Sequence, residues 1–237
     1  MTPQKSDSVL NITYKFILLD GTQRILNVYV ERNTLTSLRT GRSAPPEWTK
    51  MEYFACPHCP LNKNEFNYCP VAVNLRDIIS FFSDIPSYEK TRIYVETDER
   101  NYYKDTDVQA GVSSLLGLLM VTSGCPYLGR LKPLVRFHLP FSSLDETEYR
   151  VFSTYLLAQF IKMNKGDTPD WNFKDLEKLY ENLQILNQNV AQKISNLEHQ
   201  DTLANAVVVL NNFADTISIT LGEKNIHKLE SYVKELL

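Results

Sequence analysis

Every cysteine in this chain stands directly before a proline: Cys56-Pro57, Cys59-Pro60, Cys69-Pro70 and Cys125-Pro126. With 11 prolines in 237 residues, composition alone would give that pattern about five times in a million. Proline fixes its own φ, biases the preceding residue toward an extended conformation and removes a backbone N–H beside the sulfur. Each sulfur is therefore held on a stiffened loop, and three of the four fall within one fourteen-residue stretch. Cys56-Pro57-His58-Cys59 offers two sulfurs across a two-residue gap, a spacing that lets one turn aim both at a single ion. Cys69 follows after nine intervening residues, and Cys125 lies far downstream in Ser123-Gly124-Cys125-Pro126.

The pattern leads to the expectation that Cys56, Cys59, Cys69 and Cys125 converge on one metal. Four thiolates around Zn2+ would form a closed structural tetrahedron with no position left for substrate. An iron–sulfur cluster on the same ligands is the alternative, and it would make the chain an electron-transfer or redox-sensing protein. Thiols without metal are the third reading. The chain has no second cysteine cluster and no flavin-type glycine motif, which speaks against a redox enzyme. Of the histidines, His58 sits inside the two-residue gap, where ring and neighbouring sulfurs seldom reach one ion, so His138 is the better spare ligand. Cys125 followed thirteen residues later by His138 is also the bare pattern of a Cys–His hydrolase. A buried core thiol explains Cys125 more simply, and no catalytic residue is assigned.

Length and charge bound the rest. A chain of 237 residues is one large domain or two small ones, and a net charge of −3 does not imply nucleic acid. The first eight residues carry no apolar block behind a basic stretch, so a secretory signal is not expected. No apolar run approaches the roughly 20 residues of a membrane helix. The expected location is the cytoplasm, where reduced cysteines serve metal or redox chemistry rather than disulfides.

Periodicity places the elements. Leu10 to Leu19 and Arg24 to Glu31, joined by Asp20-Gly21, predict a β-hairpin. Arg32 to Trp48 predicts an exposed connection and Glu47 to Ala55 a strand delivering Cys56. Leu75, Ile78, Ile79 and Phe82 predict a helix, Thr91 to Thr97 a strand, and Val108 to Met120 a buried helix ending near Gly124. Ser143 and Glu146 form a capping box ahead of a helix whose expected inner face is Tyr149, Phe152, Tyr155, Leu156, Phe160 and Met163. Phe173, Leu176, Tyr180, Leu183, Asn187, Val190, Ile194 and Leu197 follow three- and four-residue steps, with Leu179 and Leu186 widening the stripe. Two further helices follow, from Leu203 to Leu221 and from Ile226 to Leu236.

The expected fold is therefore α+β. A small antiparallel sheet with helices and the cysteine metal site occupies residues 1–142, and a C-terminal, bundle-like helical part occupies residues 143–237. The internal boundary lies near 164–170, or the whole forms one compact domain. The 173–197 helix is the expected contact for a second copy or a protein partner. No membrane and no nucleic-acid partner is expected.

Arg130, Lys132, Arg136 and His138 are spaced by even numbers, so an extended chain would gather them on one face as an anion-binding stripe. The plainer expectation pairs them with Asp98, Glu99, Asp145, Glu146 or Glu148. Acidic residues at 145, 146 and 148 are explained by helix capping and the helix dipole. Walker loops, paired-histidine zincin helices, serine elbows and GxGxxG fingerprints are all missing from the sequence.

The pieces Cys56-Pro57-His58-Cys59-Pro60-Leu61, Tyr68-Cys69-Pro70, Ser123-Gly124-Cys125-Pro126 and Phe137-His138-Leu139-Pro140-Phe141 together resemble a bacterial family of unknown function. The resemblance spans most of the chain and ties the Cys-Pro units into one constellation. It implies no substrate and no mechanism.

Overall fold

The computed structural model describes residues 8–38, 44–197, 201–222 and 226–237. Strand β1 (Val9–Leu18) turns into β2 (Gln23–Glu31), as the Asp20-Gly21 pair predicts. Gly21 takes φ +86°, and the Asp20 carboxylate accepts the Thr22 N–H at 2.8 Å. The helical turn α1 (Met51–Phe54) and helix α2 (Pro70–Phe81) lead to β3 (Lys90–Glu96) and β4 (Asn101–Asp107). Helix α3 (Val108–Val121), the short α4 (Lys132–Arg136), α5 (Leu144–Asn164), α6 (Lys174–Ser195), α7 (Asp201–Gly222) and α8 (Ile226–Val233) complete the α+β chain. None of the described helices is long and apolar enough to cross a membrane.

The sheet is antiparallel with strand order β2-β1-β3-β4. Strand alternation sends Ile12, Tyr14, Phe16, Val28, Val30, Ile93 and Val95 inward, where all are buried. Strand β4 escapes a pattern-based reading because Asn101 to Asp107 has no apolar alternation. It is an edge strand, and charged side chains such as Lys104 and Asp105 are what keep an edge from recruiting another chain.

Helix α3 is the middle layer. One side meets the sheet so closely at Gly111 that an added Cβ would lie 2.7 Å from Phe16 Cε1 and nearer still to the Ile93 side chain. Its other side packs on α7, and α7 packs in turn on α6. The long stripe on α6 is spent there: Leu176, Leu179, Tyr180, Leu183, Leu186, Asn187, Val190 and Ile194 are all buried within the chain. Burial of both three- and four-residue neighbours fits a bundle helix rather than a narrow coiled-coil seam.

Three local expectations are corrected. Residues Glu47 to Ala55 form no strand but a 3-10 turn (Glu47–Thr49) followed by α1. Met51 and Phe54, three apart, are both buried, which one helical turn achieves and a strand would not. Residues 128–136 are likewise coiled, a 3-10 turn (Leu128–Leu131) running into α4, with a proline in its first turn. In helix α5 the capping box forms as expected, with Ser143 Oγ accepting the Glu146 N–H at 3.1 Å and the Glu146 carboxylate accepting the Ser143 N–H at 2.7 Å. The buried positions, however, are Glu148, Val151, Phe152 and Gln159, whereas Tyr149, Leu156, Phe160 and Met163 are exposed. Glu148 decides this orientation. Fully buried, it accepts hydrogen bonds from the Thr220 hydroxyl and from Tyr232 at 2.9 Å, and pairs with Lys228 at 2.5 Å. That arrangement joins α5, α7 and α8.

Candidate metal centre

Two of the cysteines begin helical turns. Cys69 is the N-cap of α2 with Pro70 in the first turn; no side-chain cap hydrogen bond is formed, but the Val71 and Ala72 amides act on its thiol and favour the ionised form. Cys125 repeats the arrangement with Pro126 next, and the Tyr127 and Leu128 amides act on its thiol in the same way. Proline has no N–H to offer and a φ suited to the first helical position. The amides that act on each sulfur are therefore those two and three residues beyond it. This is the local physical meaning of the Cys-Pro repetition at these two positions.

Each sulfur is delivered by tertiary structure. Cys69 N–H donates to Thr49 O at 2.8 Å, clamping the start of α2 beside the turn that precedes α1. Cys125 follows the end of α3, where Gly124 at φ +98° reverses the chain and Ser123 Oγ accepts the Cys125 N–H at 3.2 Å. Cys56 and Cys59 lie on the loop leaving α1, with Cys59 N–H donating to Cys56 O at 3.1 Å. Helix α6 braces that loop. Lys193 Nζ donates to Ala55 O at 2.8 Å, Asn189 Nδ2 reaches Cys56 Sγ at 3.5 Å, and His58 Nε2 donates to Asn182 O at 3.1 Å. The His58 ring rests on Tyr127, centroids 4.7 Å apart, and the Tyr127 hydroxyl donates to His58 O at 3.2 Å. His58 Nδ1 is buried without a hydrogen-bond partner.

All four cysteines are free thiols, Cys69 and Cys125 buried and the other two half-buried. They lie within electrostatic range of one another although Cys125 is remote in sequence. Burial pushes the Cys56 thiol up to about 12, with the charges of Cys69, Cys125 and Cys59 adding to the shift. Burial raises Cys69 to about 11 against the pull of its two amides, and raises Cys125 against its own pair. Among the described residues, no three His, Cys, Asp or Glu side chains are arranged as a formed ion cage. The four thiols stand as a loose cluster.

Thiolates here would meet the nearby amides at Cys69 and Cys125 and the Asn189 side-chain amide at Cys56, groups that stabilise negative sulfur. Nothing in the sequence marks Asn182, Asn189 and Lys193 as supporting residues, because each is an ordinary polar position on the outward side of α6 until the loop docks on it. Their spacing of seven and four places them on one helical face, which is the only trace available beforehand.

The basic stripe does not form a face. In this coiled segment positions two apart point to opposite sides, so Lys132 and Arg136, four apart, stay together toward residues 32–36 while Arg130 and His138 turn elsewhere. Lys132 Nζ donates to Thr34 O and Thr36 Oγ1 at 2.7 and 2.8 Å, and Arg136 donates to Arg32 O at 3.4 Å. Arg130 lies near Tyr155. His138 Nε2 hydrogen-bonds the Tyr14 hydroxyl at 2.7 Å. Backbone carbonyls, rather than the expected carboxylates, receive Lys132 and Arg136. Cys125 and His138 form no hydrogen bond with each other, and the imidazole Nε2 is taken by Tyr14. His227 is an exposed helix residue, 3.3 Å from Glu230, and His199 lies outside the described residues.

A family model described as Domain of unknown function (DUF6901) matches residues 12–234. The chain belongs to that family. The match takes in all four Cys-Pro units. No curated protein and no solved structure matches the chain.

Proposed function

We propose that Cys56, Cys59, Cys69 and Cys125 bind one Zn2+ ion in a structural role, making this a metal-stabilised scaffold for interaction or regulation. The observation that carries the reading is that four thiols from three separate segments lie close enough to act electrostatically on one another, with the amides two and three residues past Cys69 and past Cys125 favouring the ionised sulfur. A tetrahedron with Zn–S bonds of about 2.3 Å needs sulfurs about 3.8 Å apart, so binding would draw the loose cluster together. The ion would tie the α1 loop, the start of α2 and the end of α3 into one unit. No catalytic step is assigned, and a reducing compartment such as the cytoplasm would keep the thiols competent.

An iron–sulfur cluster would use the same four sulfurs, and one measurement separates the two. Protein purified anaerobically without added metal is expected to carry one zinc per chain and to be colourless. A brown sample that bleaches with dithionite transfers the assignment to a cluster. A folded, metal-free sample that takes up neither metal refutes the centre. Contact between copies through residues 173–197 is a separate proposal. It would use the outward side of α6, where Ile185 is exposed, because the apolar stripe is already covered. Sedimentation equilibrium showing a monomer at every concentration refutes it.

A further inference from the structure

Away from the cysteines, α3, α4, α6 and α7 line a half-open cavity of about 290 Å³. Its walls are mainly hydrocarbon, including Leu118, Leu134, Leu183, Leu210, Phe213 and Ile217. It follows α3 from Ala110 to Val121, a length of about 16 Å at 1.5 Å per residue, so it is elongated. A cavity of about 150 Å³ lined by apolar side chains accepts benzene. Twice that volume suits an apolar body of about ten to twelve carbons.

Polar groups on this wall are left without protein partners. Tyr180 and Asn187, two turns apart on α6, are both buried, and neither side chain hydrogen-bonds another protein group among the described residues. The buried Ser113 hydroxyl is in the same position on α3. Their polar atoms are not among those sealed from solvent, so they open onto the pocket, where a bound molecule or water supplies the bonds.

Arg150 stands where this cavity adjoins a second of about 240 Å³, and its side chain lines both. It is half-buried, and its Nη2 donates to Leu134 O and Phe137 O at 2.7 and 2.9 Å. Glu146 acts on it only at longer range, and no carboxylate lies within ion-pair distance among the described residues. His138, beside it, is occupied at Nε2 by Tyr14, which also bonds Ser114 Oγ at 2.9 Å. A half-buried guanidinium without a counter-ion, next to an apolar chamber, is matched by a molecule with a hydrocarbon body and one carboxylate.

We propose that this cavity is a binding site for a small apolar carboxylic acid, with its hydrocarbon body between α3 and α7 and its carboxylate at Arg150. The site is independent of the metal centre. Decanoate, below its micelle concentration, and decan-1-ol are the probes, titrated calorimetrically into the full chain. Decanoate is expected to bind once per chain and to raise the melting temperature. Ser113→Leu, which fills the cavity, is expected to abolish binding without lowering the melting temperature of the unliganded protein. Arg150→Gln is expected to weaken decanoate about tenfold or more while leaving decanol unchanged, the loss of one charge-assisted hydrogen bond. A decanoate analogue carrying a diazirine, photolysed on the wild-type chain, needs no variant and is expected to label peptides from the cavity walls, residues 108–121, 132–136, 174–195 and 201–222. The proposal is overturned if wild-type protein shows no saturable binding, if folded Ser113→Leu binds as well as wild type, or if labels fall outside those segments. Equal weakening of both probes by Arg150→Gln overturns the carboxylate assignment.

Discussion

His138 makes stability depend on pH in a calculable direction. Its ring nitrogen bonds Tyr14, its backbone carbonyl faces the Tyr102 hydroxyl at 3.4 Å, and the cationic Arg150 stands nearby. Burial first, and the Arg150 charge second, hold the imidazole down to about 4 from its ordinary 6.5. The folded value is the depressed one, so unfolded chains take up a proton first as pH falls. The contribution is therefore complete above 6.5 and is lost as pH drops through 4. At 1.36 kcal/mol per pH unit the difference has a ceiling of about 3 kcal/mol. Part of His138 reaches the surface, so about 2 kcal/mol is the expected loss. Urea unfolding of wild type and His138→Gln at pH 7, 5.5 and 4 measures it, because titrations elsewhere cancel in the comparison. Wild type should lose about 2 kcal/mol more than the variant across that range. Parallel decline of the two proteins would refute the reasoning.

Other perturbations test the packing and the centre. Gly111→Ala sets the overpacking of Phe16 and Ile93, about 1–3 kcal/mol, against about 1 kcal/mol of helix propensity, so urea midpoints should show a net loss of about 1 kcal/mol and more for Gly111→Val. A Gly111→Ala protein more stable than wild type contradicts the close helix–sheet approach. Glu148→Ala removes the buried carboxylate that the Thr220 hydroxyl, Tyr232 and Lys228 share, leaving Asp145 as a second acceptor for the latter two, with an expected loss of about 2 kcal/mol and loosening of α8 detected by amide exchange. Unchanged protection of residues 226–233 would show that the buried carboxylate does not dock that helix. Cys125→Ala should release the metal and lower the melting temperature of metal-loaded protein, whereas the same substitution in chelator-treated protein should cost far less. Equal losses with and without metal would reduce Cys125 to a core thiol.

Much of the architecture is legible from short-range chemistry. The β-hairpin follows from Asp20-Gly21, the α5 start from Ser143 and Glu146, and the α6 stripe from apolar three- and four-residue steps. These signals act within a few residues and so survive without knowledge of the rest. Errors arise where the pattern is short or where the partner is distant. Met51 and Phe54 offer only two apolar points, too few to tell a turn of helix from a strand. The even spacing from Arg130 to His138 is meaningful only in an extended chain, and the coiled conformation disperses it. Strand β4 depends on cross-strand partners such as Arg92 with Asp105 at 2.8 Å, supplied by its neighbour.

The amino-acid order alone settled the α+β class and the stiff Cys-Pro loops, because capping, turn geometry and proline's fixed φ are properties of neighbouring residues. Only the tertiary structure turned α5 so that Glu148 faces inward and Phe160 outward, set α6 against the cysteine loop, and left Tyr180 and Asn187 lining a cavity. The reason is that burial energies depend on what lies opposite each side chain, and that partner belongs to a segment remote in the chain.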